Sequence, residues 1–226
     1  MQLLPVSKGR CALATLCLAF GCGAWGQETT ASLSADQSLS RLLAGNARFV
    51  AHKERHPDES SARRRELVSG QHPFAVILGC ADSRVAPELL FDEGLGDLFV
   101  IRVAGNIADD AVLGSIEYAV EHLGSKLIVV LGHESCGAVS AAVASESASG
   151  HLSSLVTAIR PSVLATASSP GDRIHNCVVE NVRRVARQLR ESEPVLKEAT
   201  QRGGVKVIAA DYELDTGKVR LLDSRP

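Results

Sequence analysis

Two short stretches decide the fold, "GCADSRVAPE" (residues 79–88) and "GHESCGA" (residues 132–138). Each follows an uninterrupted apolar run, "FAVIL" before the first and "LIVVL" before the second. Continuous apolar runs of this length are typical of strands that are buried on both faces of a parallel sheet. In such sheets ligands gather beyond the carboxyl ends of the strands. We therefore expect the cysteine, histidine and carboxylate side chains of the two stretches to converge there if the strands are neighbours.

The rest of the chain alternates between strand-like and helix-like segments. "DLFVIRVAG" (97–105) repeats the apolar strand pattern, and "DDAVLGSIEYAVEHLG" (109–124) and "DRIHNCVVENVRRVARQLRES" (172–192) repeat apolar residues at helical spacing. "CGAVSAAVAS" (136–145) and residues 155–166 are predicted to be helical, and "VKVIAADYELDTGKVRLLD" (205–223) is predicted to form two strands around the turn "DTG". This alternation predicts an α/β fold with a mostly parallel central β-sheet flanked by helices.

A helical arm is predicted before the first strand. "SADQSLSRLLAGNARFVAHKE" (34–54) begins with a capping-box pattern, Ser34 with Gln37 three residues later. Leu42 is one of several leucines that recur on one helical face, and that face needs a cover. We therefore predict that the arm, from Ser34 to about Lys53, packs on a partner subunit. A second short helix is predicted in "SSARRRELVSGQHP" (60–73).

The N-terminus has the pattern of a signal peptide. Lys8 and Arg10 precede a short apolar stretch, "CALATLCLAFGCGAW", and the chain turns polar at "GQETTASLS". The pattern predicts a signal peptide over residues 1–26, a polar linker over 27–33 and a single catalytic domain over 34–226. It also predicts export to the periplasm or beyond, with no stable membrane span after cleavage. An uncleaved anchor, or a lipid attached at Cys22, are the alternatives.

Composition limits the partner classes. The longest basic block is Arg63–Arg65, and the net charge is −2, which argues against a nucleic-acid partner. Of the six cysteines, three precede residue 27. The odd number that remains, Cys80, Cys136 and Cys177, does not make a disulfide framework.

Cys80, His133 and Cys136 together supply two thiolates and one imidazole, a donor set that suits tetrahedral zinc. Three protein ligands with one free position are typical of catalytic zinc, whereas four are typical of structural zinc. Asp82 leaves this count open. It is either a fourth ligand, or it is held off the metal by a charge-assisted pair with Arg84.

The stretches "CADSRV" and "HESCG" resemble the β-class carbonic anhydrases, with a likeness to the plant-type branch in a bacterial exported form. The resemblance continues through "HPFAVILGCADSRVAPELLFDEGLGDLFVIRVAGN" and "GSIEYAVEHLGSKLIVVLGHESCGAV" and covers about residues 36–223. It implies one zinc on Cys80, His133 and Cys136, with Asp82 paired to Arg84. It also implies a homodimer or higher homo-oligomer whose active sites lie at the subunit interface.

The resemblance also implies a substrate pocket for carbon dioxide and bicarbonate. Ile77 stands where the branch with a noncatalytic bicarbonate site has tryptophan, so we expect no such site. The expected pocket residues are Gln71, Phe99, Ala104, Gly105, Tyr118 and Gly137.

The expected reaction is the reversible hydration of carbon dioxide to bicarbonate and a proton. Zinc-bound hydroxide is the expected nucleophile, oriented by Asp82 while Arg84 holds that carboxylate. In a closed form Asp82 becomes the fourth ligand, so we expect activity to fall below about pH 7.5. No histidine is marked as the proton shuttle. The alternatives are a hydrolase of carbonyl sulfide or carbon disulfide on the same fold, a structural zinc protein, and a thiol-redox protein, which would lack the usual Cys-x-x-Cys.

Overall fold

The computed structural model describes residues 33–145 and 148–222. Within these residues one sheet has five strands: β1 (Ala75–Gly79), β2 (Leu98–Arg102), β3 (Leu127–His133), β4 (Lys206–Tyr212) and β5 (Val219–Leu221). Their spatial order is β2-β1-β3-β4-β5. The first four strands are mutually parallel, and β5 pairs antiparallel with β4. The predicted α/β fold with a mostly parallel sheet is confirmed, as is the closing pair of strands.

Helices cover both faces of the sheet. Two short ones, Pro87–Leu90 and Val195–Gln201, were not predicted, because each is too brief to show helical periodicity. The helices are α1 (Ala35–Val50), α2 (Ser61–Glu66), α3 (Pro87–Leu90), α4 (Asp110–Glu121), α5 (Gly137–Ala144), α6 (Leu152–Ala165), α7 (Arg173–Glu191) and α8 (Val195–Gln201). Single 3₁₀ turns occupy Leu67–Ser69 and Ala104–Asn106.

The core is divided by the sheet. On one face, Ile116 of α4 and Val182 of α7 pack against Val76 and Val130 of the sheet. On the other face, Leu42 of α1 joins a second apolar cluster. A third cluster lies at the carboxyl end of the sheet, between α5, α6 and the start of α7. This third cluster includes Cys80 and Cys136, so the fold buries the predicted ligands.

The N-terminal helix α1 is anchored to its own chain. Its predicted capping box is present, since the Gln37 amide lies 3.2 Å from Ser34 Oγ and the Ser34 amide lies 2.8 Å from Gln37 Oε1. Asn46 donates to the carbonyl oxygens of Leu90 and Gly217, at 3.1 and 2.9 Å. A side chain at Gly45 would collide with the backbone of the α3 region. The apolar face of α1 is thus covered within its own chain, where Leu42 joins the second cluster. Packing of the arm on a partner subunit stays a prediction.

The segment after α1 is held by a buried carboxylate. Asp92 accepts hydrogen bonds from the backbone amides of Arg55 and His56, at 2.9 and 3.0 Å, and pairs with the Arg48 side chain at 2.5 Å. Burial alone would raise the pKa of Asp92, but these bonds outweigh it and hold that pKa below the ordinary value. Asp92 thus remains a carboxylate and fixes the path of the chain between α1 and α2.

The predictions for the N-terminus and for membrane spans are taken together. The predicted signal peptide, residues 1–26, and all but the last residue of the predicted linker lie outside the described residues. In the part of the chain that is described, no helix combines the length and the apolar character needed to cross a bilayer.

Candidate metal centre

The carboxyl ends of β1 and β3 bring the two decisive stretches together. The two strands are direct neighbours, with Leu78 of β1 in register with Val130 of β3. Cys80 follows the last residue of β1, and His133 is the last residue of β3. Cys136 is the residue before the first turn of α5. The expected convergence of these three side chains is confirmed.

Their donor atoms have a spacing that suits one tetrahedral ion. The Sγ atoms of Cys80 and Cys136 are 3.9 Å apart, and the three donor atoms all lie within 4.8 Å of one another. Two sulfurs bound at 2.3 Å to one tetrahedral zinc would lie about 3.8 Å apart. All three residues are buried, with exposed fractions of 4%, 0% and 1% for Cys80, His133 and Cys136.

The imidazole of His133 has one ring nitrogen, Nδ1, in a hydrogen bond, and the other, Nε2, available for a ligand. Nδ1 lies 2.8 Å from the carbonyl oxygen of Glu134, which can only accept a hydrogen bond, so Nδ1 carries the proton. Nε2 is then left with a lone pair and has no hydrogen-bond partner among the described residues. A buried polar atom without a partner is uncommon and calls for a ligand. A backbone carbonyl that fixes the other ring nitrogen is the usual second contact of a metal-bound histidine.

The two thiols shift each other's pKa in opposite directions. The hydrogen bond from Cys136 lowers the pKa of Cys80 to about 4, against the opposing effect of burial. The same bond, together with burial, raises the pKa of Cys136 above its ordinary value. Burial alone would lower the pKa of His133, but the nearby Cys80 thiolate outweighs it and raises that pKa. A thiolate at Cys80 is the form of the side chain that can bind a metal ion.

Asp82 is paired with Arg84, as the second of the two sequence interpretations expects. Arg84 donates from Nε to Oδ1 at 2.9 Å and from Nη2 to Oδ2 at 2.7 Å, and its backbone amide donates to Oδ1 at 3.0 Å. These bonds, with Arg84's side chain first among them, hold the pKa of Asp82 well below its ordinary value. The carboxylate also lies near the donor cluster, with Oδ2 3.8 Å from His133 Nε2. Asp82 is therefore ionised, adjacent to the cluster and engaged by the guanidinium.

Arg102 is a site residue that sequence reasoning missed. Its Nε donates to the carbonyl oxygen of Cys80 at 2.9 Å, and its Nη2 donates to the carbonyl oxygen of Asp82 at 2.5 Å. It therefore fixes the backbone that carries both side chains. The sequence does contain a signal for it, because Arg102 is a charged residue inside the otherwise apolar run "LFVIRVAG".

Three of the predicted pocket residues lie at this centre. Ala104 and Gly105 belong to the 3₁₀ turn that follows β2, and the Gly105 amide donates to Cys80 Sγ at 3.3 Å. Gly137 begins α5 directly after Cys136 and is exposed. A side chain at Gly137 would meet nothing within 4 Å, so the space beside this ligand is open.

The other three predicted pocket residues are not near the metal centre of the same chain. Phe99 is in register with Val76, four residues before Cys80, which separates the two by about 13 Å along the strand. Tyr118 is 49% exposed and its ring centroid lies 6.4 Å from that of Phe99. Gln71 is exposed and precedes β1, at the opposite end of the sheet. The structure of the single chain therefore does not bring these three side chains to its metal centre.

Comparisons with known proteins agree with this geometry. The family model described as carbonic anhydrase matches residues 75–219. Carbonic anhydrase 2 of Mycobacterium tuberculosis is 44% identical over 186 residues, which are 80% of this chain and 90% of that protein. The solved β-carbonic anhydrase of Coccomyxa, in complex with acetazolamide, is 29% identical with a TM-score of 0.67 and covers 81% of this chain and 86% of its own. A tetrameric β-carbonic anhydrase from Sordaria macrospora is 26% identical with a TM-score of 0.67, covering 82% and 97%.

Proposed function

The chain belongs to the β-carbonic anhydrase family, and from that premise we propose that it binds one zinc ion through Cys80, His133 and Cys136 and hydrates carbon dioxide to bicarbonate and a proton. The observation that carries this proposal is the donor set itself. Two sulfurs 3.9 Å apart and a buried imidazole nitrogen without a partner suit a tetrahedral ion with three protein ligands.

The fourth position is proposed to be free for water. When bound, zinc would lower the pKa of that water towards neutrality and so make a nucleophile available at physiological pH. Asp82 supports this arrangement because Arg84 engages both of its oxygens, which leaves the carboxylate beside the centre and not on it. Four protein ligands, with Asp82 as the fourth, would instead favour a structural metal.

Asp82 is proposed to orient the attacking water. Its Oδ2 lies 3.8 Å from His133 Nε2, and an ionised carboxylate can only accept hydrogen bonds. At this place it would accept a hydrogen bond from a water beside the metal ligands and so orient that water towards the substrate carbon. Arg84 keeps Asp82 in this orientation, and Arg102 keeps the backbone of Asp82 in place.

The substrate pocket is proposed to be completed by a second copy of the chain. Ala104, Gly105 and Gly137 supply the part that lies beside the ligands. Phe99 and Tyr118 lie on and beside the edge strand β2, where they are partly or half exposed and too far from their own metal centre. We infer a homodimer or higher homo-oligomer in which these aromatic residues and Gln71 face the partner's metal centre. Carbon dioxide is small and apolar, so apolar walls of this kind suit it.

The location of the enzyme is a separate proposal. Its support is the sequence pattern at residues 1–26, with two basic residues, a short apolar stretch and small residues before a polar segment. We propose that the enzyme is exported and that the domain begins close to residue 34. The mass of the protein isolated from the periplasm or medium would test this, since an uncleaved chain retained with the membrane would contradict it.

The reaction is tested by a panel of three substrates on one preparation. Stopped-flow hydration of carbon dioxide is compared with release of hydrogen sulfide from carbonyl sulfide and from carbon disulfide, with zinc content measured on the same sample. We expect about one zinc per chain and turnover of carbon dioxide that far exceeds the other two. Zinc without turnover of any substrate would indicate a structural metal, and preferential turnover of a sulfur substrate would indicate the hydrolase on the same fold.

A further inference from the structure

A hydrogen bond from the backbone reaches the sulfur of one proposed zinc ligand. The amide of Gly105 donates to Cys80 Sγ, with the nitrogen 3.3 Å from the sulfur. Gly105 has φ of 72° and ψ of 17°, a left-handed conformation that favours glycine. A side chain there would also place its Cβ 2.7 Å from Ile159 Cδ1 and 3.2 Å from the Cβ of Ala138. The conformation therefore favours glycine, and in this conformation the N–H group points at the sulfur.

The turn that carries Gly105 is held from behind by helix α7. Asn181 is fully buried, and its Nδ2 donates to the carbonyl oxygen of Gly105 at 2.9 Å. Its Oδ1 accepts from Ser162 Oγ at 3.2 Å and from Arg184 Nη2 at 3.3 Å. Because two donors fix Oδ1, the amide group can present only its NH₂ to Gly105. The orientation of the asparagine is therefore set by its neighbours.

A polar side chain at this position has a cost that its bonds must offset. Asn181 lies on the buried face of α7 between Val178 and Val182, where an apolar residue would pack without any need for hydrogen bonds. Its three bonds connect α6, α7 and the turn after β2. Of its hydrogen bonds in the described part of the chain, the one to Gly105 leads to the metal centre, from Asn181 to the carbonyl group of Gly105 and from the amide group of the same residue to Cys80.

We propose that Asn181 is a positioning residue for the metal centre, which holds the Gly105 amide against the sulfur of Cys80 and thereby tunes the thiolate as a metal ligand. The proposal rests on the zinc site proposed above and adds a residue remote from it. A hydrogen bond to a metal-bound sulfur withdraws electron density from it, as is known for other thiolate-bound metals. Loss of that bond makes the thiolate a stronger donor, which lowers the effective positive charge of the metal and its ability to acidify water.

The test replaces zinc by Co²⁺ in the full chain and measures the sulfur-to-cobalt charge-transfer band. Asn181→Asp is the informative variant, since it keeps an oxygen for Ser162 and Arg184 but cannot donate to Gly105. We expect its band to move to longer wavelength, because a more electron-rich thiolate is more easily oxidised. We also expect kcat/KM of the zinc form to fall about 10–100-fold, the usual effect of losing an outer contact of a metal ligand.

Ser162→Ala is the matched control. It removes one donor to Asn181 Oδ1 and weakens the contact between α6 and α7, but leaves the bond to Gly105. We expect lower thermal stability with an unchanged cobalt band. If Asn181→Asp also keeps the parent band, or if Ser162→Ala shifts it equally, Asn181 has a structural role only and the proposal is overturned.

A measurement on the parent protein keeps the proposal testable if the Asn181 variants do not fold. With ¹¹³Cd in the site, the Gly105 amide proton should show scalar coupling to the metal through the Cys80 sulfur. Absence of that coupling in a cadmium-loaded sample would overturn the proposal. Failure of the parent to bind Co²⁺ or ¹¹³Cd at all would instead contradict the zinc site itself, so the two failures are distinguishable.

Discussion

Replacing Arg84 by alanine should convert the proposed open metal centre into a closed one. Arg84 supplies three hydrogen bonds to Asp82, of which two come from the side chain and would be lost. Asp82 would remain ionised over the working pH range, because the ordinary pKa of an aspartate is about 3.9. A carboxylate released beside a zinc ion with a free position is expected to bind it.

The movement needed is small. Asp82 Oδ2 lies 3.8 Å from His133 Nε2. Two ligand atoms at about 2.1 Å from one tetrahedral zinc are about 3.4 Å apart, so the gap to this ligand closes by about 0.4 Å. Rotation of the Asp82 side chain supplies such a shift without any change in the backbone, which Arg102 holds. We therefore expect the Arg84→Ala variant to keep its zinc and to lose activity about 10–100-fold at every pH.

The assay combines stopped-flow hydration between pH 6.5 and 9 with zinc X-ray absorption on the same samples. In the parent, activity should fall below about pH 7.5 without loss of zinc, since water is a poorer competitor for the metal than hydroxide. Adding Asp82→Asn to Arg84→Ala should remove the extra ligand and restore the parent's absorption spectrum. If Arg84→Ala has the parent's rates and the parent's spectrum, Asp82 does not close the site and the reasoning is refuted.

Three further predictions concern metal binding and stability. His133→Ala and Cys136→Ala should each lose zinc, as measured by metal content after dialysis; full occupancy in both would exclude this ligand set. Leu42→Ala should lower the free energy of unfolding by about 2–5 kcal/mol in urea, since Leu42 is 1% exposed; a loss below about 1 kcal/mol would mean that α1 is not anchored to its own chain. Asp92→Asn should lower the urea midpoint at pH 7. Because the pKa of Asp92 is depressed in the folded chain, that difference should shrink as the pH falls below about 4; a pH-independent difference would show that the charge of Asp92 contributes nothing.

Local patterns were sufficient to predict the sheet and the convergence of Cys80, His133 and Cys136. The apolar runs before Cys80 and His133 are strands because they are long enough to cross a buried sheet and too short for a buried helix. Because these two strands are parallel neighbours, their carboxyl ends lie side by side. The capping box at Ser34 was equally local, and it is present.

What could not be predicted depends on contacts distant in sequence. Asn181 lies 76 residues from Gly105. The apolar pattern of helix α7 gives no indication that Asn181 forms a hydrogen bond with that distant turn. The apolar face of α1 indicated a need for cover, but nothing local could show that the same chain supplies it. Phe99 and Tyr118 were placed in the pocket by resemblance alone, and a single chain leaves them away from its own metal centre.

The central claim is that a zinc ion held by Cys80, His133 and Cys136 makes this chain a carbonic anhydrase. The most direct measurement is the rate of carbon dioxide hydration on one preparation of the protein, before chelation, after chelation and after zinc is restored, with metal content at each step. We expect about one zinc per chain, loss of hydration in proportion to the zinc removed, and recovery on its return. Hydration that persists in the metal-free protein, or one firmly bound zinc per chain with no hydration, would contradict the account.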